Sequence, residues 1–296
     1  MGNASLGGQR FDPVNGNGSV AVSEGELAMK IDQGKLPRLL ARHIDTASRD
    51  HLRREENVFF VGGNLPERPT VETLFDSHYQ CHAALFHLTF GDPDSFANGE
   101  TLARVIKKNF NVHLVGRFDY PATPQLIERA YAAGVDIVDL PLTVFDSARG
   151  VDSRYPLKER LGALDRARSI FPRWSVLSTL LAGVEPSSST VAGIDALLAR
   201  DVVPLVALSG RAAGMPSDEL SGIYAHLING WRQKKAAIKP LLPLIYLSTP
   251  LVPASPPGAL RGFIDLIDDR RLLATSDLRR LLRVKEVEES FASSGL

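Results

Sequence analysis

Polar residues with obvious chemical uses stand in short turns that follow apolar segments of this 296-residue chain. The clearest case is the apolar segment Leu85–Phe90, which ends at Gly91-Asp92-Pro93-Asp94 before a helix-forming stretch begins. A glycine lets a ligand approach the backbone, and carboxylates accept hydrogen bonds from an amine or exchange protons with a bound molecule. The turn is therefore a candidate ligand-binding and acid–base site.

Comparable turns end five other apolar segments, and as a set they are mainly acidic and contain two arginines. Such a set suits a small molecule that carries both an ammonium group and a carboxylate or phosphate. We predict acid–base roles for Asp92, Asp94, Asp119 and Glu185. We predict ligand binding by Gly62, Gly63, Asn64, Gly91, Arg117, Thr179, Gly183 and Arg211. The same turns offer Asp139, Thr143, Asp146 and Ser209 as further candidates. The alternative interpretation is that all of these are ordinary loop residues.

The apolar segments are hydrophobic nearly throughout and lack the polar–apolar alternation of a half-exposed strand. That pattern is typical of parallel strands that are covered on both faces. Most strand-plus-helix units take about 30 residues, as a βαβ crossover does, and they run from residue 57 to residue 214. We therefore predict an α/β fold with a partial (βα)6 TIM-like barrel, in which the turns meet at the carboxyl ends of the strands. A doubly wound open sheet would give the same pattern.

Flanking segments complete the predicted domain organisation. Residues 1–22 are rich in Gly, Asn and Ser and are predicted to be a disordered tail. Residues 23–56 are predicted to be an N-terminal helical segment, with the charged stretch Asp45–Glu56 as its solvated helix end. Residues 215–296 are predicted to be a C-terminal helical extension, whose last helix spans Asp277–Glu289.

Composition and charge argue against several classes of protein. Lys+Arg and Asp+Glu both number 34, so the chain lacks the basic excess that binds nucleic acid or an anionic membrane. The densest apolar stretch, Leu241–Val252, contains Pro243 and Pro250 and is too short to span a bilayer. The first residues lack the apolar core of a secretory signal peptide. We predict a cytoplasmic protein that binds a small molecule, with no nucleic acid and no membrane span.

The single cysteine, Cys81, limits the metal chemistry of this chain. It rules out intramolecular disulfides and any iron–sulfur cluster held by three or four cysteines of one chain. His78 and His82 are four residues apart and share one face of a predicted helix, whereas Cys81 lies on another face. Zinc needs four ligands, or three and a water, so we predict no metal site here.

Three stretches carry a resemblance to a known family. They are HLTFGDPDSFANGETLARVIKK around the Gly91–Asp94 turn, LIERAYAAGVDIVDLPLTVFD around the fourth strand, and SVLSTLLAGVEPSSSTVAGIDALLARDVVPLVAL across the fifth and sixth strands. They resemble segments of the radical S-adenosylmethionine (SAM) enzymes, over about residues 57–210. The resemblance implies the partial barrel of that family. It also implies that the Gly91–Asp94 turn holds the methionyl amine of SAM and that the Gly183–Glu185 turn lies near the adenine.

The sequence departs from that family at one decisive place. The family motif Cys-x-x-x-Cys-x-x-Cys should follow the first strand, but the loop Val61–Pro69 contains no cysteine. We therefore expect a radical-SAM-like barrel without an iron–sulfur cluster. It would bind SAM or a related small polar or nucleoside ligand at the strand carboxyl ends and catalyse non-radical biosynthetic chemistry.

Two alternatives stay open at this point. In the first, the chain is a non-catalytic partner or scaffold subunit of an active homologue or of a cofactor-assembly complex. Leu241–Val252 and the C-terminal extension would then supply an interface with a protein partner or with a second copy. In the second, the chain is an aldolase- or methyltransferase-like barrel. Such barrels often need a lysine or a metal, and no predicted strand here ends in lysine.

Overall fold

Six parallel strands, each followed by a helix, form the centre of the fold. The computed structural model describes residues 29–41, 48–146, 155–254 and 270–282. Its strands are β1 (Met29–Ile31), β2 (Leu52–Glu55), β3 (Val58–Gly62), β4 (Leu85–Thr89), β5 (His113–Arg117), β6 (Ile137–Asp139), β7 (Val176–Ala182), β8 (Val203–Leu208) and β9 (Leu251–Pro253). Its helices are α1 (Leu36–Ala41), α2 (Glu67–Gln80), α3 (Phe96–Asn109), α4 (Pro124–Ala132), α5 (Leu157–Ile170), α6 (Ser187–Leu198), α7 (Ser217–Lys234), α8 (Leu242–Ser248) and α9 (270–282).

Seven strands share one sheet in the order β2-β3-β4-β5-β6-β7-β8, and β3 to β8 run parallel. The strands follow one another in sequence order, without the reversal that defines a doubly wound sheet, so that alternative is excluded. The sheet curls into a half barrel whose edges are β2 and β8. The α/β class and the partial (βα)6 barrel predicted from the sequence are therefore confirmed.

Burial explains the continuous apolar character of the parallel strands. Every residue of β3, β4 and β5 is buried. Phe86 of β4 packs against the ring of His78 in α2 and against Phe110, with ring centroids 6.1 and 5.2 Å apart. The outer face of the sheet thus meets the helices. Because side chains alternate along a strand, His87 points to the opposite, inner face of the half barrel.

The prediction of a solvated helix end at Asp45–Glu56 is wrong, because Leu52–Glu55 form strand β2. This strand pairs antiparallel with β3 at the edge of the sheet. The guanidinium of Arg53 lies 5.2 Å from the ring centre of Phe60, and Arg54 makes a similar contact with a second β3 aromatic ring at 5.1 Å. These cation–π contacts let a charged segment cover an aromatic strand, which a charge pattern alone does not reveal.

The predictions for the segments before and after the barrel, residues 1–56 and 215–296, are tested only where the structure describes residues. Within residues 23–56 the one described helix is α1, and β1 pairs antiparallel with β9 instead of extending a helix. Residues 1–22 lie outside the described residues. The last predicted helix, Asp277–Glu289, is present as α9 up to residue 282, and the remainder lies outside the described residues. The domain boundaries stay predictions.

Among the described helices, none combines the length and apolar character that crossing a membrane requires.

A buried carboxylate holds α9 against the amino-terminal end of the barrel. Asp136, just before β6, accepts hydrogen bonds from Lys107 Nζ at 2.9 Å and from Arg280 Nη2 at 2.6 Å. The Ser276 hydroxyl and the Leu114 amide also donate to it. Burial alone would raise the pKa of Asp136, but the charges of Lys107 and Arg280 outweigh burial and hold that pKa below its usual value.

Replacing Asp136 by Asn should lower the free energy of unfolding by about 3 to 5 kcal/mol, because two largely buried cations lose their partner charge. The depressed pKa sets the pH window of this effect. The carboxylate contributes fully above the unfolded-state pKa of about 3.9, and its contribution is lost as the pH falls through the lower folded-state pKa. Urea unfolding of the Asp136→Asn variant and the unaltered chain, from neutral to acidic pH, measures the difference. Equal stability at neutral pH would contradict this role.

Candidate functional site

Four polar residues of neighbouring strands lie side by side at the carboxyl end of the inner face. Thr89 of β4, Arg117 of β5 and Asp139 of β6 are register partners, so their side chains leave the same face of the sheet. His87, two residues before Thr89, shares this face, and its ring centre lies 5.4 Å from that of Phe60. The carboxyl end of the strands is where β/α barrels carry their active sites.

Asp139 is the centre of this group. Its Oδ2 lies 3.4 Å from Arg117 Nη1 and 3.6 Å from His87 Nε2. Arg117 Nε donates to Asp119 Oδ1 at 2.7 Å, so one guanidinium bridges two carboxylates. His87 and Asp139 are each 1% exposed. We call His87, Arg117, Asp119 and Asp139 the inner-face cluster.

Two buried atoms of the inner-face cluster, His87 Nδ1 and Asp139 Oδ1, have no hydrogen-bond partner among the described residues. Buried polar atoms are paired in the large majority of cases, and leaving one unpaired costs about 1 to 3 kcal/mol. An imidazole nitrogen can donate or accept, whereas a carboxylate oxygen accepts. The inner-face cluster therefore offers two hydrogen-bonding positions beyond those that the described residues fill.

A stack of aromatic rings supports this end of the sheet from the outer side. Phe90 lies between Phe96 and Phe118, with ring centroids 5.0 and 4.6 Å apart. Gly99 and Gly116 make room for it, since a Cβ at these positions would lie 2.8 and 2.9 Å from the Phe90 ring. The close packing fixes the ends of β4 and β5, and therefore the backbone that carries the inner-face cluster.

A cavity of about 30 Å³ lies beside the cluster, at the ends of β5 and β6. Asp119, Tyr120, Tyr155 and Arg160 line it together with apolar groups. This volume holds about one water molecule. The Tyr120 hydroxyl is buried and has no hydrogen-bond partner among the described residues. Burial is the main cause that raises the pKa of Tyr120 to about 12, so its hydroxyl keeps its proton and can donate it to a hydrogen bond.

The turns after β3 and β4 come together around Arg49 and Asp50, which precede β2. Asp92 Oδ1 lies 2.5 Å from Arg49 Nη1, and the Asp92 side chain is 62% exposed. Asn64 Nδ2 donates to Asp50 Oδ1 at 2.9 Å. A Cβ at Gly62 would lie 2.3 Å from the carbonyl carbon of Arg49, so glycine is required where this segment crosses β3.

Protein atoms also fill the space beside the other two glycines of these turns. A Cβ at Gly63 would lie 2.7 Å from the Thr89 carbonyl oxygen, and one at Gly91 would lie 2.0 Å from Ser95 Oγ. Asp94, in contrast, is exposed in the short 3-10 turn that leads into α3. The two turns are thus packed against each other and against the chain before β2, with Asp94 on the outside.

Glu185 is buried and binds backbone groups of the loop after β6. Its Oε2 accepts hydrogen bonds from the amides of Phe145 and Asp146 at 2.9 and 2.8 Å. Gly183, in the same turn, has a φ of +86°, and a Cβ there would lie 2.5 Å from the Ala212 amide nitrogen. The turn after β7 is therefore held between the loop after β6 and the 3-10 turn after β8.

The structure distributes the predicted site residues over different surroundings. Arg117 and Asp119 belong to the inner-face cluster, whereas the turns after β3 and β4 surround Arg49. Thr179 is half-buried on the inner face of β7, and Arg211 is exposed after β8. The predicted residues therefore do not form one continuous group.

Sequence reasoning missed two residues that matter here and gave a third no role. The sequence pattern places His87 inside an apolar strand and Arg49 inside a charged flank, and it offers Asp139 as one candidate turn residue among several. The available signal was the polar pair His87 and Thr89, two residues apart in an otherwise apolar strand. A spacing of two puts both side chains on one face, which here is the inner face.

The residues present do not fit a [4Fe–4S] cluster, nor the position that the family resemblance implies for the amine of SAM. One cysteine cannot ligate a [4Fe–4S] cluster, and Cys81 is exposed at the end of α2. The rings of His78 and His82 are 4.9 Å apart, but the described residues hold no group of three or more metal-ligating side chains. The carboxylate that the resemblance assigns to the SAM amine, Asp92, is paired with Arg49.

Comparison with known proteins does not identify a family for this chain. No protein-family model matches it, and no curated protein matches its sequence. Among solved structures, it is similar to methylornithine synthase (PylB), with a TM-score of 0.43 and 15% sequence identity. The similarity covers 62% of this chain and 60% of that enzyme, which is less than two thirds of the enzyme's length. Likeness at this level assigns neither a family nor an activity.

Replacing Glu185 by Gln should lower the free energy of unfolding by about 1 to 3 kcal/mol, because a neutral amide accepts the two backbone hydrogen bonds less strongly. The matched control is Asp195→Asn on α6, where the exposed carboxylate pairs with His226 at 2.7 Å. That change should stay within about 0.5 kcal/mol. Urea unfolding of both variants makes the comparison. A Glu185→Gln effect no larger than that of the control would contradict the structural role of Glu185.

Proposed function

We propose that this chain is a half barrel without an iron–sulfur cluster that binds a small polar ligand at the carboxyl ends of its strands and catalyses non-radical proton transfer. The ligand would lie on the inner-face cluster and contact His87 and Asp139. The observation that carries the proposal is the pair of unpartnered buried atoms, His87 Nδ1 and Asp139 Oδ1. A ligand that pairs with both atoms recovers the free-energy cost of their burial.

The carboxylates and the imidazole of the inner-face cluster support acid–base chemistry. The Asp119 side chain is 22% exposed, so it can exchange protons with a ligand that arrives from solvent. His87 Nε2 lies 3.6 Å from Asp139 Oδ2, so an imidazole and a carboxylate stand together where a ligand could exchange protons with them. The Arg117 guanidinium keeps its proton in proteins, so its role is to position the two carboxylates.

Charge favours a ligand with donor groups over an anionic ligand. One guanidinium in the cluster faces two carboxylates, so the cluster is net negative while His87 is neutral. SAM and nucleosides carry amine or hydroxyl donors, and they are the first ligands to test. A ligand amine at Asp92 would have to displace Arg49, whereas binding at the inner-face cluster leaves the Arg49–Asp92 pair in place.

A second candidate function is a non-catalytic partner or scaffold subunit. Two observations favour it. Arg49 and Asp50 cover the turns after β3 and β4, and exposed leucines are concentrated on α9. In that case the inner-face cluster would be structural, and titration with small polar ligands would give no binding.

Calorimetric titration of the full chain with SAM, S-adenosylhomocysteine and adenosine tests the proposal. We expect saturable binding of at least one of them. Asp139→Asn should weaken that binding about tenfold or more, because one hydrogen bond to a charged group contributes about 1.5 to 3 kcal/mol. Asp195→Asn, the matched exposed substitution, should leave the affinity unchanged. Circular dichroism of each variant establishes that the fold is retained.

Absence of binding for all three ligands would contradict the proposal and favour the scaffold function. Equal affinity of Asp139→Asn and the unaltered chain would contradict the location of the ligand. Asp92→Ala is the complementary variant, because Asp92 lies outside the inner-face cluster. A loss of affinity in Asp92→Ala without a loss in Asp139→Asn would instead place the ligand at the Gly91–Asp94 turn.

A further inference from the structure

Two hydrogen-bond donors line the cavity at the ends of β5 and β6 without a partner among the described residues. They are the Tyr120 hydroxyl and Arg160 Nε, and both atoms are buried. Arg160 is 9% exposed, and its Nη1 and Nη2 donate to Thr143 Oγ1 and to the Val144 carbonyl at 3.4 and 3.3 Å. Nε is therefore the part of this guanidinium that remains for a bound molecule.

These two donors determine which chemical group the cavity accepts. A guanidinium only donates hydrogen bonds, and the phenol hydroxyl keeps its proton because burial raises the pKa of Tyr120 to about 12. One oxygen atom with two lone pairs satisfies both donors, and the cavity volume of about 30 Å³ holds about one such atom. A carbonyl oxygen meets this description, and two donors stabilise it most when it becomes negatively charged.

A carboxylate lies next to the same cavity. Asp119 lines it and also belongs to the inner-face cluster, where its Oδ1 accepts a hydrogen bond from Arg117 Nε at 2.7 Å. The Asp119 side chain is 22% exposed, so a base that is held in position also reaches solvent. A base beside two donors is suited to removing a proton from the carbon next to a carbonyl group, because the donors stabilise the charge that develops on the oxygen.

We propose that the substrate is a small carbonyl compound and that the site transfers a proton from the carbon next to its carbonyl group, an inference that rests on the proposed proton-transfer function. The carbonyl oxygen lies in the cavity and accepts hydrogen bonds from Tyr120 and Arg160. Asp119 takes the proton, the C–H electron pair forms the C=C bond of an enolate, and the π-electrons of the carbonyl group move to its oxygen. Return of a proton to the carbon restores the carbonyl group and the Asp119 carboxylate.

Proton NMR of hydroxyacetone and dihydroxyacetone in D2O with the full chain measures this step, because reprotonation from solvent replaces C–H by C–D. Both probes are uncharged ketones with hydroxyl donors, which suits a cluster that is net negative. We expect faster exchange of at least one probe than in buffer alone. Tyr120→Phe should slow the catalysed exchange by about a hundredfold, because it removes one of the two donors. Tyr79→Phe on α2 is the matched control, since Tyr79 is 91% exposed and its substitution should leave the rate unchanged.

Asp119→Asn should return the exchange to the rate in buffer, because the amide cannot take the proton. Urea unfolding of each variant establishes that the fold is retained. Exchange no faster than in buffer for both probes would overturn the proposal, as would an unchanged rate in Tyr120→Phe, which is the result expected if the cavity holds only water. An equal loss in Tyr79→Phe would also overturn it. Failure of the proposed function is distinguishable, because calorimetric binding and Asp139→Asn test it separately, and Asp139 does not line this cavity.

Discussion

A carboxylate that is 1% exposed has to be paired, and this requirement on Asp139 organises the carboxyl end of the barrel. Arg117 supplies the partner charge from the neighbouring strand, and Asp119 holds the same guanidinium from the other side. The strand register makes the contact possible, because it sets Arg117 beside Asp139 on the inner face. The packing of Phe90 against neighbouring rings and glycines fixes the ends of β4 and β5, and this fixed position preserves the register.

Asp136, just before β6, and Asp139, the last residue of β6, differ in how completely they are paired. Asp136 accepts hydrogen bonds at both carboxylate oxygens, from side chains and from a backbone amide, and it holds α9 in place. Asp139 is as deeply buried, yet its Oδ1 has no partner among the described residues. Stability alone favours the arrangement at Asp136, because an unpaired buried oxygen costs folding free energy. This contrast supports the proposal of a ligand site at the carboxyl end.

The half barrel could be predicted from the sequence because parallel strands buried on both faces are continuously apolar and are followed by turns. Strand β2 could not, since its arginines cover aromatic rings that no local pattern reveals. The candidate site was predicted only in part. Arg117 and Asp119 stand in a recognisable turn, but His87 becomes relevant only when β4 and β6 bring it within 3.6 Å of Asp139. The pairing of Asp92 with Arg49, 43 residues earlier, is likewise a long-range contact.

Nitrogen NMR of the histidine side chains, recorded during titration of the full chain with SAM, S-adenosylhomocysteine and adenosine, tests the central claim most directly. The chain contains seven histidines, and His226 on the outer surface of α7 provides an internal reference. If the inner-face cluster is the ligand site, the Nδ1 resonance of His87 shifts with saturation while the His226 resonances stay in place. Binding of a ligand that leaves both His87 nitrogens unchanged would contradict the account.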